Sequence, residues 1–269
     1  MSNRTQTWVD ALSTADIQEL DLPKSIVVAQ GKLPGHDRLY FVGVRPDSNN
    51  PFPRARTGEV GVLEGWGLSK AVHWIINQDR ASDSKTPIVA VVDVPSQAYG
   101  RREEALGIHL ALAAAASAYA QARLAGHPVI ALLVGKAMSG GFLAHGYQAN
   151  QIIALDDAGV MVHAMGKESA ARVTLRTVEQ LEELSSRIPP MAYDINSFAS
   201  LGLLAGGVLN VSSATEPSAE DVSAVTMRLT ECIEKARQEG HSLANRLGAL
   251  NRKASTQVRE LMRNQWLTE

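Results

Sequence analysis

The sequence predicts an α/β protein with a mainly parallel β-sheet. Two short, continuous apolar runs, Ile88 to Val92 and Val129 to Val134, are typical of strands that are covered on both faces. A long Ala-rich helical segment lies between them, which favours a crossover connection between parallel strands. Of the 269 residues, 45% are hydrophobic but only 5% are aromatic, so we expect a core built from aliphatic side chains and Ala.

The segments before these strands predict an antiparallel strand pair, a loop and a helix. Ser25 to Ala29 and Arg38 to Val44 are rich in β-branched and aromatic residues, and the Gly, Pro and Asp residues between them suit a turn. Arg45 to Gly61 is rich in Pro, Asn, Gly and Arg and predicts a long loop, of the kind that is either functional or mobile. Leu68 to Gln78 has apolar residues at helical spacing and predicts a helix.

The Ala-rich segment, Glu103 to Leu124, predicts one long helix, with Gly126 where a left-handed cap belongs. The small-residue turn Ser139 to Gly141 predicts the start of a short helix that ends near Gln148. The other predicted elements are two short strands followed by helices, namely Ile152 to Leu155, Val160 to His163, Val178 to Ile188, Ile195 to Leu201, Ala219 to Glu239 and two amphipathic segments from Ser242 to the end. We expect one domain over residues 1–269, with residues 215–269 as a helical elaboration.

Composition argues against several classes of protein. The 26 basic and 28 acidic residues give a net charge of −2, which lacks the electrostatic footprint of a nucleic-acid binder. With Cys232 as the one cysteine, a disulfide within the chain or a Cys-based zinc cluster is impossible, and the seven histidines show no metal-binding spacing. Met1 to Asp10 lacks a signal pattern, and Ala105 to Ala122 is too weakly hydrophobic for a membrane span. We therefore expect a cytoplasmic protein without a metal or a membrane association.

Gly140 and Gly141 are the first candidates for chemistry, because they follow a buried strand at a predicted helix start. The first turn of a helix has unpaired N–H groups and a positive dipole potential, and glycines let a ligand oxygen approach this backbone closely. An oxyanion site at this point requires N–H groups that are bare and face a cleft. Glycines also serve tight turns and close packing, so a purely structural role remains open.

The segment from Asp93 to Gly107 reads D-V-P-S-Q-A-Y-G-R-R-E-E-A-L-G and resembles acyl-CoA carboxyltransferases of the crotonase superfamily. Those enzymes carry D-T-P-G-F-x-x-G-x-x-x-E-x-x-G after a strand of the same kind. The positions that match in register are Asp93, Pro95, Gly100, Glu104 and Gly107. The departures, Val94, Ser96 and Gln97, suggest a changed substrate pocket.

Three further stretches are similar to the γ subunits of biotin-independent malonate decarboxylase. They are K-A-M-S-G-G-F from Lys136, M-V-H-A-M-G-K-E-S at Met161 to Ser169, and I-P-P-M-A-Y-D at Ile188 to Asp194. The resemblance implies a crotonase-like ββα spiral, a carboxyltransferase domain, with C-terminal helices. It also implies a heteromeric enzyme, in which a β subunit of the same fold acts with this chain on malonyl-thioester carried by an acyl-carrier subunit, forming acetyl-thioester and CO2. No cofactor is expected on this chain, because a CoA-like, phosphopantetheine-type arm belongs to the carrier.

The resemblance places the catalytic backbone at Gly140 and Gly141, with the Gly100-Arg101 backbone as a second arm. Whether this site holds an enolate, the malonyl carboxylate or departing CO2 stays open. Ser139, His145 and His163 are further substrate-binding candidates. Either histidine can deliver a proton near neutral pH, although a structural hydrogen bond is the commoner role of such residues.

Four other functions remain open at this point. A biotin-dependent acyl-CoA carboxyltransferase subunit and a stand-alone enoyl-CoA hydratase or isomerase share the fold, although the second requires two glutamates that have no convincing match here. A non-catalytic scaffold needs the glycines only for packing. A hydrolase with Ser139, His163 and Asp156 or Asp157 lacks the G-x-S-x-G pattern.

The end of the chain combines positive charge with an apolar stripe that can dock on the core or on a partner subunit. The stripe consists of Leu247, Leu250, Val258, Leu261, Met262 and Trp266.

Overall fold

A sheet of eight strands forms the centre of the computed structural model, which describes residues 3–17 and 20–267. The strands are β1 (Ser13–Asp16), β2 (Ile26–Leu33), β3 (His36–Val44), β4 (Ile88–Val94), β5 (Val129–Met138), β6 (Gln151–Asp156), β7 (Met161–His163) and β8 (Val208–Asn210). Their order is β1-β2-β3-β4-β5-β6-β8, and β7 pairs with β5 off this path. The β1–β2 and β2–β3 pairs are antiparallel and the other pairs are parallel, which confirms the predicted α/β class.

Two groups of helices pack against this sheet. The helices are α1 (Arg4–Leu12), α2 (Val62–Gln78), α3 (Arg101–Ala105), α4 (Ile108–Leu124), α5 (Ser139–Ala144), α6 (Lys167–Thr174), α7 (Val178–Ser185), α8 (Ile195–Ser200), α9 (Ala219–Glu239) and α10 (Lys253–Trp266). Helix α2 packs against α4, whereas α1 and α9 contact each other and the strands. The core between them is largely aliphatic, as the composition predicted.

Strand β5 positions the start of helix α5, because two different strands, β6 and β7, pair with successive parts of it on the same side. Its first half pairs with β6, from Ile130 to Leu133. Its second half pairs with β7, so that Met138 lies opposite His163. The apolar run predicted the strand only to Val134, but the ladder to β7 extends it to Met138. Helix α5 therefore begins directly beside the end of β7.

The predicted single helix over Glu103 to Leu124 is wrong. Gly107 has a φ of +78° and separates α3 from α4, because a left-handed residue cannot continue a right-handed helix. The helix that begins at the small-residue turn ends at Ala144, not near Gln148. Gly126, with a φ of +95°, does occupy the left-handed position expected after α4.

Some elements were missed or placed too late. Helix α1 was not predicted, although its buried residues Thr5, Trp8, Val9 and Leu12 have helical spacing. Helix α6 was also missed, and α2 begins six residues before its predicted start at Leu68. Near the end of the chain, two 3-10 turns precede α10 where an amphipathic helix was expected.

Helix α10 lies outside the core. It has no buried residue in its described length, and the apolar stripe around it is exposed. The stripe therefore does not dock on the core of this chain. Within residues 3–17 and 20–267, no helix has the length and apolar character needed to cross a bilayer.

Candidate active site

The start of α5 is a tight strand-to-helix connection. Ser139 follows β5 directly and has a φ of +60°, a left-handed conformation that non-glycine residues seldom adopt. Its hydroxyl donates to the backbone oxygen of Ala164 at 2.8 Å. Because Ala164 follows the last residue of β7, this hydrogen bond fastens the start of α5 to the end of β7.

A cavity of about 290 Å³ opens at this junction. Ser139, Gly140 and His163 line it, so the structure brings together three of the candidates that the sequence suggested. The rest of its wall is mostly apolar and comes from α5, β7, the 3-10 turn at 189–191, α8 and the residues that follow these elements, namely Phe142, Leu143, Tyr147, Val162, Ala164, Pro189, Pro190, Ala192, Phe198 and Leu201. An apolar pocket with a few polar groups at one end is the usual form of a small-molecule site.

The Gly140 amide is not bare. Its N–H donates to the side-chain oxygen Oε1 of Gln97 at 2.6 Å. Two backbone hydrogen bonds hold the loop around Gln97 against Val60, from Val60 N–H to Ser96 and from Ala98 N–H to Val60. The expectation of an open oxyanion donor at Gly140 is therefore wrong for this state of the molecule, because the chain itself supplies the acceptor.

Gly141 is required by packing. A Cβ atom at this position would lie 2.5 Å from Val94 Cγ1 and 2.6 Å from the backbone oxygen of Ser96. Contacts this short with backbone cannot be relieved by moving a side chain. In the described part of the chain, no side chain accepts a hydrogen bond from the Gly141 amide. Gly141 thus brings α5 close to the loop after β4.

Gly100 and Arg101 do not line the cavity. Gly100 is extended, with a φ of −173°, and precedes the first residue of α3. A Cβ at Gly100 would lie 2.6 Å from Glu103 Oε2 and 2.9 Å from Arg54 Nε, so this glycine lets two side chains approach the backbone. Arg101 is exposed. The structure therefore does not bring the expected second arm to the same cavity within this chain.

His145 is sealed inside the protein with an exposure of 0%. Its Nε2 lies 3.0 Å from the Val91 carbonyl oxygen, which can only accept, so Nε2 carries the proton. Nδ1 then accepts from the Tyr119 hydroxyl at 2.9 Å. Burial lowers the pKa of His145 from 6.5 to about 4, which keeps the ring neutral. Since no part of the ring reaches a cleft, we remove His145 from the substrate-binding candidates and assign it a structural role.

His163 has the opposite environment. Its ring is half-buried, lines the cavity and stacks on the ring of Tyr193, with 3.8 Å between centroids and 14° between planes. Its Nδ1 lies 2.9 Å from the backbone oxygen of Met165 and 3.2 Å from the Met165 nitrogen. Burial lowers the pKa of His163, and the hydrogen bond to Met165 opposes that shift.

The carboxylates do not form a catalytic triad with Ser139. Asp157 accepts from Arg4 at 2.8 Å and from the Gly159 amide at 2.7 Å. Because Ser139 donates to a backbone carbonyl and not to a histidine, the hydrolase hypothesis has no geometry to support it.

Asp93 holds the strand ends together. Its carboxylate accepts from the Lys136 amide at 2.9 Å, and a Cβ at Gly135 would lie 2.1 Å from the same oxygen. Burial raises the pKa of Asp93, partly offset by the Lys136 amide. Across the described ranges, no group of three or more His, Cys, Asp or Glu residues is placed to hold a metal ion.

Gln97 is the site residue that the sequence reasoning did not assign. It was visible as a departure from the carboxyltransferase pattern, which has Phe there. No local pattern indicates that its side chain reaches an amide 43 positions further along the chain.

The chain matches the family model of the malonate decarboxylase gamma subunit over residues 55–266. It is 56% identical to a chain of a Pseudomonas malonate decarboxylase hetero-tetramer solved with coenzyme A, with a TM-score of 0.93 over 98% of this chain and 100% of that chain. It is 54% identical to a chain of the Pseudomonas MdcD-MdcE hetero-dimer, with a TM-score of 0.89 over 99% of this chain and 100% of that one.

More distant relatives are carboxyltransferases. A malonyl-S-ACP:biotin-protein carboxyltransferase, MADD of Malonomonas rubra, is 32% identical over 196 residues, which are 72% of this chain and 67% of the relative. Transcarboxylase 12S shares the fold, with a TM-score of 0.61 at 20% identity over 85% of this chain and 42% of that chain. The resemblance found in the motifs is confirmed: this chain belongs to the malonate decarboxylase gamma-subunit family and has the crotonase-like fold of the carboxyltransferases.

Proposed function

We propose that this chain acts with a β subunit of the same fold to decarboxylate malonyl-thioester to acetyl-thioester and CO2. The observation that carries the proposal is the 56% identity, over nearly the whole of both chains, to a subunit of a malonate decarboxylase. The related hetero-tetramer has also been solved with malonate, and the M. rubra relative acts on a malonyl-S-ACP. The substrate of this chain is therefore a malonyl group on an acyl-carrier subunit, whose phosphopantetheine-type arm supplies the thioester.

Decarboxylation requires a group that stabilises a negatively charged oxygen. Loss of CO2 from a malonyl-thioester leaves an enolate, and a preorganised donor to its oxygen is commonly worth about 3 kcal/mol of the barrier. The cavity beside Ser139 and Gly140 takes the malonyl end of the substrate. Its oxygen replaces Gln97 Oε1 on the Gly140 amide, and the rest of the apolar wall keeps water away from the carbanion.

The partner completes the site. Gly100 and Arg101 lie away from the cavity in this chain, so the β subunit supplies the second arm of the oxyanion site. The apolar stripe at α10 is exposed, with Trp266 at 82%, and gives a partner a surface to cover. We also assign residues 1–269 to one domain, in which residues 215–269 are a helical addition, and place the complex in the cytoplasm.

The test is CO2 release from malonyl-thioester by the complex assembled with and without this chain. We expect release to depend on the chain, and unchanged turnover in its absence would contradict the proposal. Gly140→Val places a side chain where the Gln97 side chain lies, beside the Gly140 amide, so it should keep a substrate oxygen off this amide and lower kcat by about a hundredfold in an assembled complex. Leu143→Ala, which enlarges the same cavity on its apolar side, serves as a control for general disturbance of the wall.

A second candidate is carboxyl transfer to a biotin protein, which the M. rubra relative favours. The two functions differ in product. Free CO2 from malonyl-thioester without any biotinylated protein supports decarboxylation, whereas turnover that requires a biotinylated acceptor supports transfer.

A further inference from the structure

We propose that His163 is the catalytic residue that protonates the acetyl carbanion, and that Tyr193 is the positioning residue that fixes its ring. The inference rests on the proposed decarboxylation. Conversion of a malonyl-thioester to an acetyl-thioester and CO2 takes up one proton per turnover, and the carbanion carbon must receive it.

The position of His163 suits this role because it faces the start of α5 across the cavity. Met138 of β5 lies opposite His163 in the sheet, and the Ser139 hydroxyl binds Ala164, the next residue after His163. His163 and Gly140 line the same cavity. A malonyl group bound in this cavity therefore has the imidazole within the same small space.

The ring of His163 is held on its far side. Nδ1 lies between the carbonyl oxygen and the amide of Met165, at 2.9 and 3.2 Å. The carbonyl accepts when Nδ1 carries a proton, and the amide donates when it does not, so the ring keeps its place in either state. Nε2 has no hydrogen-bond partner among the described residues, which leaves it for the cavity.

Stacking fixes the plane of the ring. Tyr193 lies 3.8 Å from His163 between centroids, almost parallel to it, and is 7% exposed. The Tyr193 hydroxyl is buried and has no hydrogen-bond partner within the described ranges. The aromatic ring of Tyr193, not its hydroxyl, is thus the part that acts on His163.

Each turnover moves one proton from water through His163 to the carbon that becomes the methyl group. The malonyl carboxylate favours the cationic form of a nearby imidazole, which takes its proton from water when substrate binds. The C–CO2 bond breaks and its electron pair passes into the enolate. The enolate carbon then takes the Nε2 proton, the N–H electron pair stays on nitrogen, and the ring returns to the neutral form with Nδ1–H on Met165.

The decisive experiment measures hydrogen exchange at the methyl group of acetyl-thioester in D2O, catalysed by the assembled complex. This exchange needs proton transfer but no decarboxylation. His163→Gln should reduce it at least about a hundredfold, and Tyr193→Leu should reduce it while the KM for acetyl-thioester stays near the wild-type value. Tyr193→Phe, which keeps the stack, is the matched control and should exchange like the wild type.

Exchange at the wild-type rate in His163→Gln overturns the inference. If that variant does not assemble with the partner, the wild-type complex provides the test by NMR of its labelled His163 ring. The resonance must move to the cationic position when a malonyl-thioester analogue that cannot lose CO2 is added, and an unmoved resonance overturns the inference. Failure of the proposed function has a different signature, since the wild-type complex would then release no CO2.

Discussion

On one side of helix α5, Gly141 and His145 are sealed against the loop after β4 and against α4. On the other side, Ser139 and Gly140 border a cavity that His163 also lines. The two glycines are neighbours, and the two histidines lie at the end of α5 and at the end of β7, yet each pair is divided between packing and a potential site. Residue type and spacing located the region, but the surroundings of each side chain decided its role.

The largest expected effect tests the division between the glycines. Gly141→Ala should lower the free energy of unfolding by about 3 kcal/mol, because its Cβ would overlap the backbone of Ser96. Gly140→Ala should cost about 1 kcal/mol or less, because the contacts of its Cβ under 3.4 Å are with the flexible end of the Gln97 side chain, and Leu112 lies at an ordinary contact distance of 3.4 Å. Urea unfolding of the two variants measures the difference, and equal losses would remove the distinction between the two sides of α5.

The next effect concerns the sealed histidine. The pKa of His145 is about 4 in the folded protein and near 6.5 when the ring is exposed, so the unfolded state binds more protons between these values. Its contribution to stability is complete above pH 6.5 and declines as the pH falls toward 4. The protein should therefore be about 2 kcal/mol less stable at pH 5 than at pH 7 from this group alone.

His145→Gln is the control for that pH effect. The amide of glutamine can donate to Val91 and accept from Tyr119 but does not titrate in this range. Its stability should fall less steeply between pH 7 and pH 5, whatever its stability at neutral pH. An unchanged slope would mean that His145 does not stay neutral in the fold.

The smallest expected effect concerns the side of α5 that borders the cavity. Gln97→Ala removes the internal acceptor from Gly140, so a substrate oxygen no longer competes for this amide. The KM for malonyl-thioester should fall up to about fivefold, which corresponds to one hydrogen bond of about 1 kcal/mol. Gln97→Glu should raise the KM, because its carboxylate holds the amide and repels the substrate. A KM that neither variant moves would mean that Gln97 only holds α5 in place.

Much of the sheet could be predicted because its strands are continuous apolar runs, as β4 and β5 show. Gly107, which separates α3 from α4, is visible in the sequence, but the Ala-rich residues around it predicted an unbroken helix. The bond from Gly140 to Gln97 and the sealing of His145 by Tyr119 depend on contacts between distant segments. Local patterns carry no information on which side of α5 such contacts form, so they could not be predicted.

The shared ladder on β5 has a further consequence for how this region can vary. Ser139 continues β5, and His163 ends a strand that is paired with β5, so one set of backbone hydrogen bonds sets the spacing between them. The turn at 157–160 can therefore change in length or composition without altering that spacing, provided that β7 keeps its register. A slip of β7 by one residue would instead turn the imidazole to the opposite face of the sheet, since alternate side chains point in opposite directions.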